Sequence, residues 1–143
     1  MAGTRQDDLD ALTILGQAKN KPSRKLETFP NHHVGRNYMV ELRTEEFTSL
    51  CPATGQPDFG VVTIRYVPGA RIVESKSLKL YLWSFRNEGC FQEHLVNVIL
   101  EDLVLALEPV WMEVEGVFAA RGGIRITVRA VHGDRSAGSS RPV

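Results

Sequence analysis

The sequence predicts an α+β domain in which a four-stranded antiparallel sheet carries two helices on one face. Two segments with the composition of strands come first, at residues 38–43 and 61–67. A helical region follows, in which apolar residues recur every four positions from Leu95 to Leu107. Two alternating segments come last. The order strand, strand, helix, helix, strand, strand is typical of α+β folds with antiparallel sheets.

Local sequence features support each of the first four predicted elements. Both early strand segments are rich in β-branched and aromatic side chains, and Pro68 with Gly69 marks a turn after the second. Residues 77–85 are densely apolar with an ambiguous period, and we predict a helix there. Residues 91–107 have the apolar face of an amphipathic helix, which Pro109 ends because proline cannot continue a helix.

The last two strand segments are residues 111–117 and 124–129, separated by a Gly-Gly turn. Alternation in the first of them puts Glu113 and Glu115 on one face. One helical layer covers only one face of such a sheet, so the other face and both edges stay open. Oligomerisation is a physically reasonable way to cover them.

The composition excludes several classes of protein. The chain has 143 residues, 43% of them hydrophobic, which suits one soluble globular domain. Seventeen basic residues balance seventeen acidic ones, so no global charge attracts nucleic acid or an anionic membrane. Neither a membrane-spanning segment nor a signal peptide is recognisable, and we expect a cytoplasmic protein. We divide it into a polar arm (residues 1–30), a folded domain (31–130) and a flexible tail (131–143).

The two cysteines, Cys51 and Cys90, are 39 positions apart. A structural disulfide is not expected in a reducing compartment. Neither residue belongs to a CxxC motif or a Cys/His cluster, so no structural zinc site is expected. At least one thiol is therefore available for chemistry.

Residues 46–59 are the densest candidate for a reactive site. Two prolines and a glycine predict a stiff, irregular loop with the thiol of Cys51 near one end and the carboxyl of Asp58 near the other. Such a loop can hold a nucleophile and an acid at a set separation. From spacing alone, a turn with a buried cysteine and a capping aspartate is the more ordinary interpretation.

Four further residues carry a charge that a ligand can use. Lys76 and Lys79 share a helix face, beside hydroxyls at the helix start, and can bind phosphates, although an ordinary solvated helix start has the same pattern. Glu93 is a free carboxylate or a first-turn acid that complements the helix dipole. Arg121 precedes the Gly-Gly turn and is a weak signal by itself.

Taken together and in this order, these motifs resemble the short, single-domain form of the QueF family of 7-cyano-7-deazaguanine reductases. The resemblance runs from about Phe29 to Ile124 and reverses the ordinary interpretation of Cys51, Asp58 and the lysines. The matching segments are residues 47–59, 74–81, 84–87 and 121–124.

The resemblance implies a tunnelling fold, shared with GTP cyclohydrolase I, whose unit is two strands, two helices and two strands. It also implies a homo-oligomer with active sites between subunits, as a decamer of two pentameric rings. The implied reaction reduces the nitrile of 7-cyano-7-deazaguanine to an aminomethyl group and consumes two NADPH. This step belongs to the synthesis of the tRNA nucleoside queuosine and needs no metal.

In the implied mechanism Cys51 adds to the nitrile carbon to give a thioimide, and Asp58 protonates the nitrogen. The family's ligand contacts carry over residue by residue. The substrate contacts fall on Val73, Glu74, Ser75, Gln92 and Glu93, and the NADPH contacts on Lys76, Lys79 and Arg121.

Two positions depart from the family or lack a role in it. Gln92 stands where the family usually has histidine, and an amide can hydrogen-bond but cannot relay a proton. Cys90 has no family role.

Three other functions fit the sequence less well. One is an amidinotransferase-like relative that uses the same thioimide without hydride transfer, but such relatives lack the motif at residues 74–79. A zinc hydrolase of the tunnelling fold needs a Cys/His ligand set that the sequence does not display. A non-catalytic assembly or RNA-binding module is the third, and the neutral charge and the lack of an aromatic-basic motif argue against direct RNA binding.

Overall fold

The computed structural model describes residues 3–14 and 20–135. Its centre is one four-stranded sheet in the order β2-β3-β5-β6, with every neighbouring pair antiparallel. In chain order the elements are α1 (Gln6–Asp10), β1 (Thr28–Pro30), β2 (Val40–Leu50), β3 (Pro57–Val67), β4 (Arg71–Val73), α2 (Ser75–Trp83), α3 (Gln92–Leu107), β5 (Trp111–Phe118) and β6 (Thr127–Gly133).

Both long helices pack on one face of this sheet, and the predicted α+β class is confirmed. The residues that recur every four positions in α3 are all buried: Leu95, Ile99, Leu103 and Leu107. They share one core with side chains from α2 and with the inward-facing residues of β3 and β5, such as Ile64 and Val114. The spacing therefore predicted the packed face of α3 because only one stripe of that helix meets the sheet.

The opposite face of the sheet carries charged pairs, which confirms the predicted shared face of Glu113 and Glu115. Arg65 donates to Glu41 at 2.7 Å and to Glu113 at 3.0 Å, and Arg129 donates to Glu115 at 2.6 Å. These pairs are partly exposed, so each adds little to the free energy of unfolding.

The prediction of a stiff loop over residues 46–59 is wrong at both ends. Strand β2 continues to Leu50 and β3 begins at Pro57, so the connection is only residues 51–56. Backbone pairing across the hairpin extends both strands. Pro57 is tolerated because it opens its strand, where no ladder hydrogen bond from its nitrogen is required.

Other element boundaries also differ from the predicted ones. Within the predicted arm, β1 pairs with β4 as a separate two-stranded ribbon. Helix α2 begins two residues earlier than predicted, and β6 begins at Thr127, three residues later, and continues to Gly133. The division into arm, domain and tail stays a prediction, and residues 1–2, 15–19 and 136–143 of the arm and tail lie outside the described residues. Among the described helices, none has both the length and the apolar character that crossing a bilayer requires.

Candidate active site

Cys51 is the first residue of the tight turn that joins β2 to β3. Its N–H donates to the carbonyl of Gln56 at 2.8 Å, and its carbonyl accepts from the N–H of Gly55 at 2.9 Å. Gly55 has φ +73°, a left-handed conformation that glycine adopts without steric cost. These bonds fix the backbone of Cys51 at the end of the sheet while its side chain stays partly exposed.

The turn also polarises the thiol. The pKa of Cys51 is lowered from 9.0 to about 7, first by a hydrogen bond from the hydroxyl of Thr54. The backbone N–H groups of Thr54 and Ala53 and the guanidinium of Arg121 act in the same direction, and slight burial opposes them. With such a pKa about half of the thiol is ionised at neutral pH, which favours a nucleophile over an inert cysteine. Thr54 was not among the predicted site residues, although its hydroxyl lies within the turn that carries Cys51.

Asp58 lies opposite Ser49 in the β2–β3 ladder, so both side chains point to the same face. Both are buried, with exposed fractions of 5% and 0%. Ser49 Oγ makes no hydrogen bond with a described residue, whereas Asp58 Oδ1 is ion-paired with Arg121 Nη2. Buried polar atoms without hydrogen bonds are rare in proteins and are often found at functional sites. No sequence pattern singled out Ser49.

Arg121 reaches this pair from the connection between β5 and β6. Its backbone exchanges hydrogen bonds of 2.9 Å in both directions with Ile124 around the Gly-Gly turn. Its guanidinium contacts Asp58 and lies within hydrogen-bonding reach of the Cys51 sulfur. Arg121 was predicted to contact the cofactor, and its contacts with Asp58 and Cys51 were not predicted.

The start of α3 is attached to the strand end that carries Cys51. The N–H of Leu50 donates to the carbonyl of Glu88 at 2.9 Å, and the N–H of Cys90 donates to the carbonyl of Leu50 at 3.1 Å. Gln92 and Glu93 follow directly as the first two residues of α3, Gln92 buried and Glu93 exposed. The structure thus brings Gln92 and Glu93 to the same end of the sheet as Cys51.

Val73, Glu74 and Ser75 lie at the opposite end of the sheet. Val73 is buried beside the far end of β3, where its N–H donates to the hydroxyl of Tyr66 at 3.1 Å. Since β3 has eleven residues, its two ends are roughly 30 Å apart. No hydrogen bond or ion pair between described residues joins these three positions to Cys51. Within one chain, the predicted substrate contacts therefore form two groups, one at each end of the sheet.

Glu74 caps the start of α2. Its carboxylate accepts the N–H groups of Lys76 at 2.8 Å and Ser77 at 2.7 Å, and these two bonds lower the pKa of Glu74. Ser75, next to it, is exposed at the first position of the helix.

A cavity of about 590 Å³ lies between α2 and β2. Its lining is apolar at Leu42, Phe47, Val62, Ile64, Leu78 and Leu82 and cationic at Arg43, Lys79 and Arg86. Lys79 and Arg86 form no ion pair with a described residue, whereas Arg43 pairs with Glu45 at 3.3 Å. Lys76 is exposed on the same helix but outside the cavity lining. Cations around an apolar floor fit an aromatic ligand that carries phosphates.

No group of three or more His, Cys, Asp or Glu side chains in the described part of the chain is arranged to hold a metal ion.

Comparison with known proteins identifies the family. The family described as QueF-like protein matches residues 57–137. An NADPH-dependent 7-cyano-7-deazaguanine reductase of Syntrophus aciditrophicus (strain SB) is 58% identical over 139 residues, 97% of each chain. A protein of the same name from Staphylococcus haemolyticus (strain JCSC1435) is 50% identical over 129 residues, 87% of this chain and 78% of that one.

A crystal structure of the archaeosine synthase QueF-Like in the apo form is similar with a TM-score of 0.63 and 25% identity. The likeness covers 67% of this chain and 94% of that one, and it confirms the predicted tunnelling fold. Together with a relative that is 58% identical along nearly the whole chain, it shows that this protein belongs to the QueF-like family of NADPH-dependent 7-cyano-7-deazaguanine reductases.

Proposed function

We propose that this protein reduces the nitrile of 7-cyano-7-deazaguanine to an aminomethyl group, with Cys51 as covalent nucleophile and Asp58 as proton donor. The observation that carries the proposal is that one guanidinium, that of Arg121, contacts the buried carboxyl of Asp58 and also helps to lower the pKa of the Cys51 thiol. The reaction is a step in the synthesis of queuosine in tRNA.

The chemistry begins at the sulfur. The thiolate of Cys51 forms a C–S bond to the nitrile carbon, one π bond of the nitrile breaks, and the nitrogen takes a proton from Asp58. NADPH, when bound, supplies hydride, two per nitrile. Conversion of a nitrile to an amine also consumes two protons, and Asp58 is the buried acid beside the reacting carbon. Cys51 leaves as a thiolate, a departure that its lowered pKa favours.

The cofactor residues proposed are Lys76, Lys79 and Arg121. Support for Lys79 is strongest, because it lines the cavity between α2 and β2 and its ammonium forms no ion pair with a carboxylate among the described residues. Lys76 is one turn away on the same helix and is free to contact a phosphate at the rim.

The substrate contacts proposed are Val73, Glu74 and Ser75 at one end of the sheet and Gln92 and Glu93 at the other. Two groups at opposite ends of an eleven-residue strand can line one site only if two subunits contribute to it. Strands β2 and β6 are the edges of the sheet, and pairing β2 of one copy with β6 of the next would close a ring. We therefore propose a homo-oligomer with inter-subunit sites, a decamer of two pentamers.

A second candidate is an amidine-forming enzyme that uses the same thioimide. The fold shared with the archaeosine synthase QueF-Like favours it, at 25% identity. The higher identity to relatives named as reductases, 50% to 58%, favours reduction.

The test is to mix the protein with 7-cyano-7-deazaguanine and NADPH, and to count NADPH oxidised per nitrile while the product is identified by mass. We expect two NADPH and an aminomethyl product. Cys51→Ala should lose turnover and the covalent adduct, while the matched variant Cys90→Ala keeps both. Normal turnover by Cys51→Ala would exclude the mechanism, and an amidine formed without NADPH oxidation would establish the second candidate.

A variant at Lys79 tests the proposed NADPH contacts. Lys79→Ala should raise the KM for NADPH by about tenfold, as expected for the loss of a charged hydrogen bond of about 1.4 kcal/mol. The control is Lys25→Ala, because Lys25 is exposed outside the cavity. An unchanged KM would remove Lys79 from the cofactor site.

A further inference from the structure

Arg121 contacts both residues on which the proposed chemistry depends. Its guanidinium is ion-paired with Asp58 and lies within hydrogen-bonding reach of the Cys51 sulfur. We propose that Arg121 is a positioning residue of the reaction: in the free enzyme it holds the sulfur and the carboxyl next to each other. The inference rests on the proposed function, because it concerns the same site, and it gives Arg121 a role in the free enzyme in addition to its proposed contact with the cofactor.

The placement of Arg121 is built into the backbone. The connection that carries it is attached to β3 by the N–H of Ala119, which donates to the carbonyl of Phe59 at 2.8 Å, one residue from Asp58. The N–H of Phe118 donates to the carbonyl of Ile126 at 3.0 Å and closes the same connection. Two hairpins that are distant in sequence therefore meet where Arg121 lies across Asp58.

Arg121 supplies the positive charge beside Asp58 and Cys51. Asp58 is 5% exposed, and a buried carboxylate needs a counter-charge. Among the described residues, Arg121 is its ion-pair partner, through Asp58 Oδ1. A planar guanidinium has five N–H donors and can face two acceptors at once, which a lysine ammonium on a flexible stem does less well.

Neighbouring charges do not replace Arg121. The nearby carboxylate of Glu88 is paired with Arg24 at 2.6 Å. Burial first and then Glu88 raise the pKa of Cys90, which keeps that thiol protonated. At Cys51 the other stabilising groups are the hydroxyl and N–H groups of the turn, which are neutral.

This arrangement has a consequence for the proton. The thiol proton of Cys51 can pass to the carboxylate of Asp58, which leaves a thiolate and a carboxylic acid. The thiolate then attacks the nitrile carbon, and the acid returns the proton to the nitrile nitrogen. One negative charge moves between two groups, and the guanidinium of Arg121 lies beside both, so it stabilises the charge on either group.

The experiment measures the rate of alkylation of Cys51 by iodoacetamide against pH, without substrate or NADPH, in a Cys90→Ser background. The wild-type rate should rise with an inflection near pH 7. Arg121→Gln should move the inflection to higher pH and slow alkylation at pH 7, and Arg121→Lys should lie between them. The matched control is Arg125→Gln, an exposed arginine of the same connection, which should behave as wild type. Thermal melting establishes that each variant is folded.

Formation of the covalent adduct with 7-cyano-7-deazaguanine, measured without NADPH, separates the positioning role of Arg121 from its proposed contact with the cofactor. A positioning residue predicts that Arg121→Gln slows adduct formation by about tenfold or more. An unchanged inflection, or adduct formation at the wild-type rate, would overturn the proposal. If alkylation changes as predicted but wild-type protein oxidises no NADPH with the nitrile, the contact stands and the proposed function fails.

Discussion

Removal of the Thr54 hydroxyl should raise the pKa of the Cys51 thiol more than removal of any other single side chain. That hydroxyl is the largest cause of the lowered thiol pKa. It also accepts the N–H of Gln56 at 3.3 Å, which orients its own proton toward the sulfur. Thr54→Val deletes the hydroxyl at an exposed position, where a methyl group meets little resistance. The turn and its backbone N–H groups should stay in place.

The size of the effect follows from the thiolate fraction. With a pKa of about 7, about half of Cys51 is ionised at pH 7, whereas at 9.0 about 1% is ionised. Because three other causes of the lowered pKa remain, the fraction should fall by less than about fiftyfold, and a pKa near 8 would give about a fivefold fall. A more basic thiolate is more nucleophilic, which offsets part of the loss. We expect alkylation at pH 7 to slow by about threefold to fivefold.

The assay is the pH dependence of iodoacetamide alkylation in a Cys90→Ser background. Loss of a group that stabilises the thiolate moves the inflection toward higher pH, so the rates of Thr54→Val and wild type should converge above about pH 9. Thr54→Ser keeps the hydroxyl and is the matched control. An inflection of Thr54→Val near pH 7, or an equal shift in Thr54→Ser, would refute the role given to the hydroxyl.

Two further variants test the surroundings of the thiol. Ser49→Ala removes a buried hydroxyl that makes no hydrogen bond with a described residue. The free energy of unfolding should therefore rise by about 1 kcal/mol, measured by denaturant titration. A loss of stability would mean that the hydroxyl is hydrogen-bonded. Gly89→Ala places a Cβ 3.1 Å from Pro52 Cα, next to Cys51, and should lower kcat several-fold with little change in melting temperature. An unaltered kcat would show that the turn tolerates the displacement.

Local spacing was sufficient to predict the elements that bury one face. Leu95 and Leu107 mark the packed stripe of α3, and Glu113 and Glu115 mark the outward face of β5. In both cases burial of one side imposes a period that can be read from neighbouring residues. Strands β2 and β3 are longer than predicted, because their ends are set by backbone pairing across the hairpin. The turn-forming residues near those ends had predicted a longer loop.

The sequence by itself determined the strand and helix order, and its motifs indicated the candidate nucleophile and acid at Cys51 and Asp58. Only the tertiary structure decided that Thr54 donates to the sulfur, that Arg121 bridges thiol and carboxyl, and that the predicted substrate contacts lie at two ends of one sheet. The physical reason is that periodicity records which side of an element is buried. Contacts between the ends of different hairpins depend instead on register and turn geometry, which no short stretch of sequence contains.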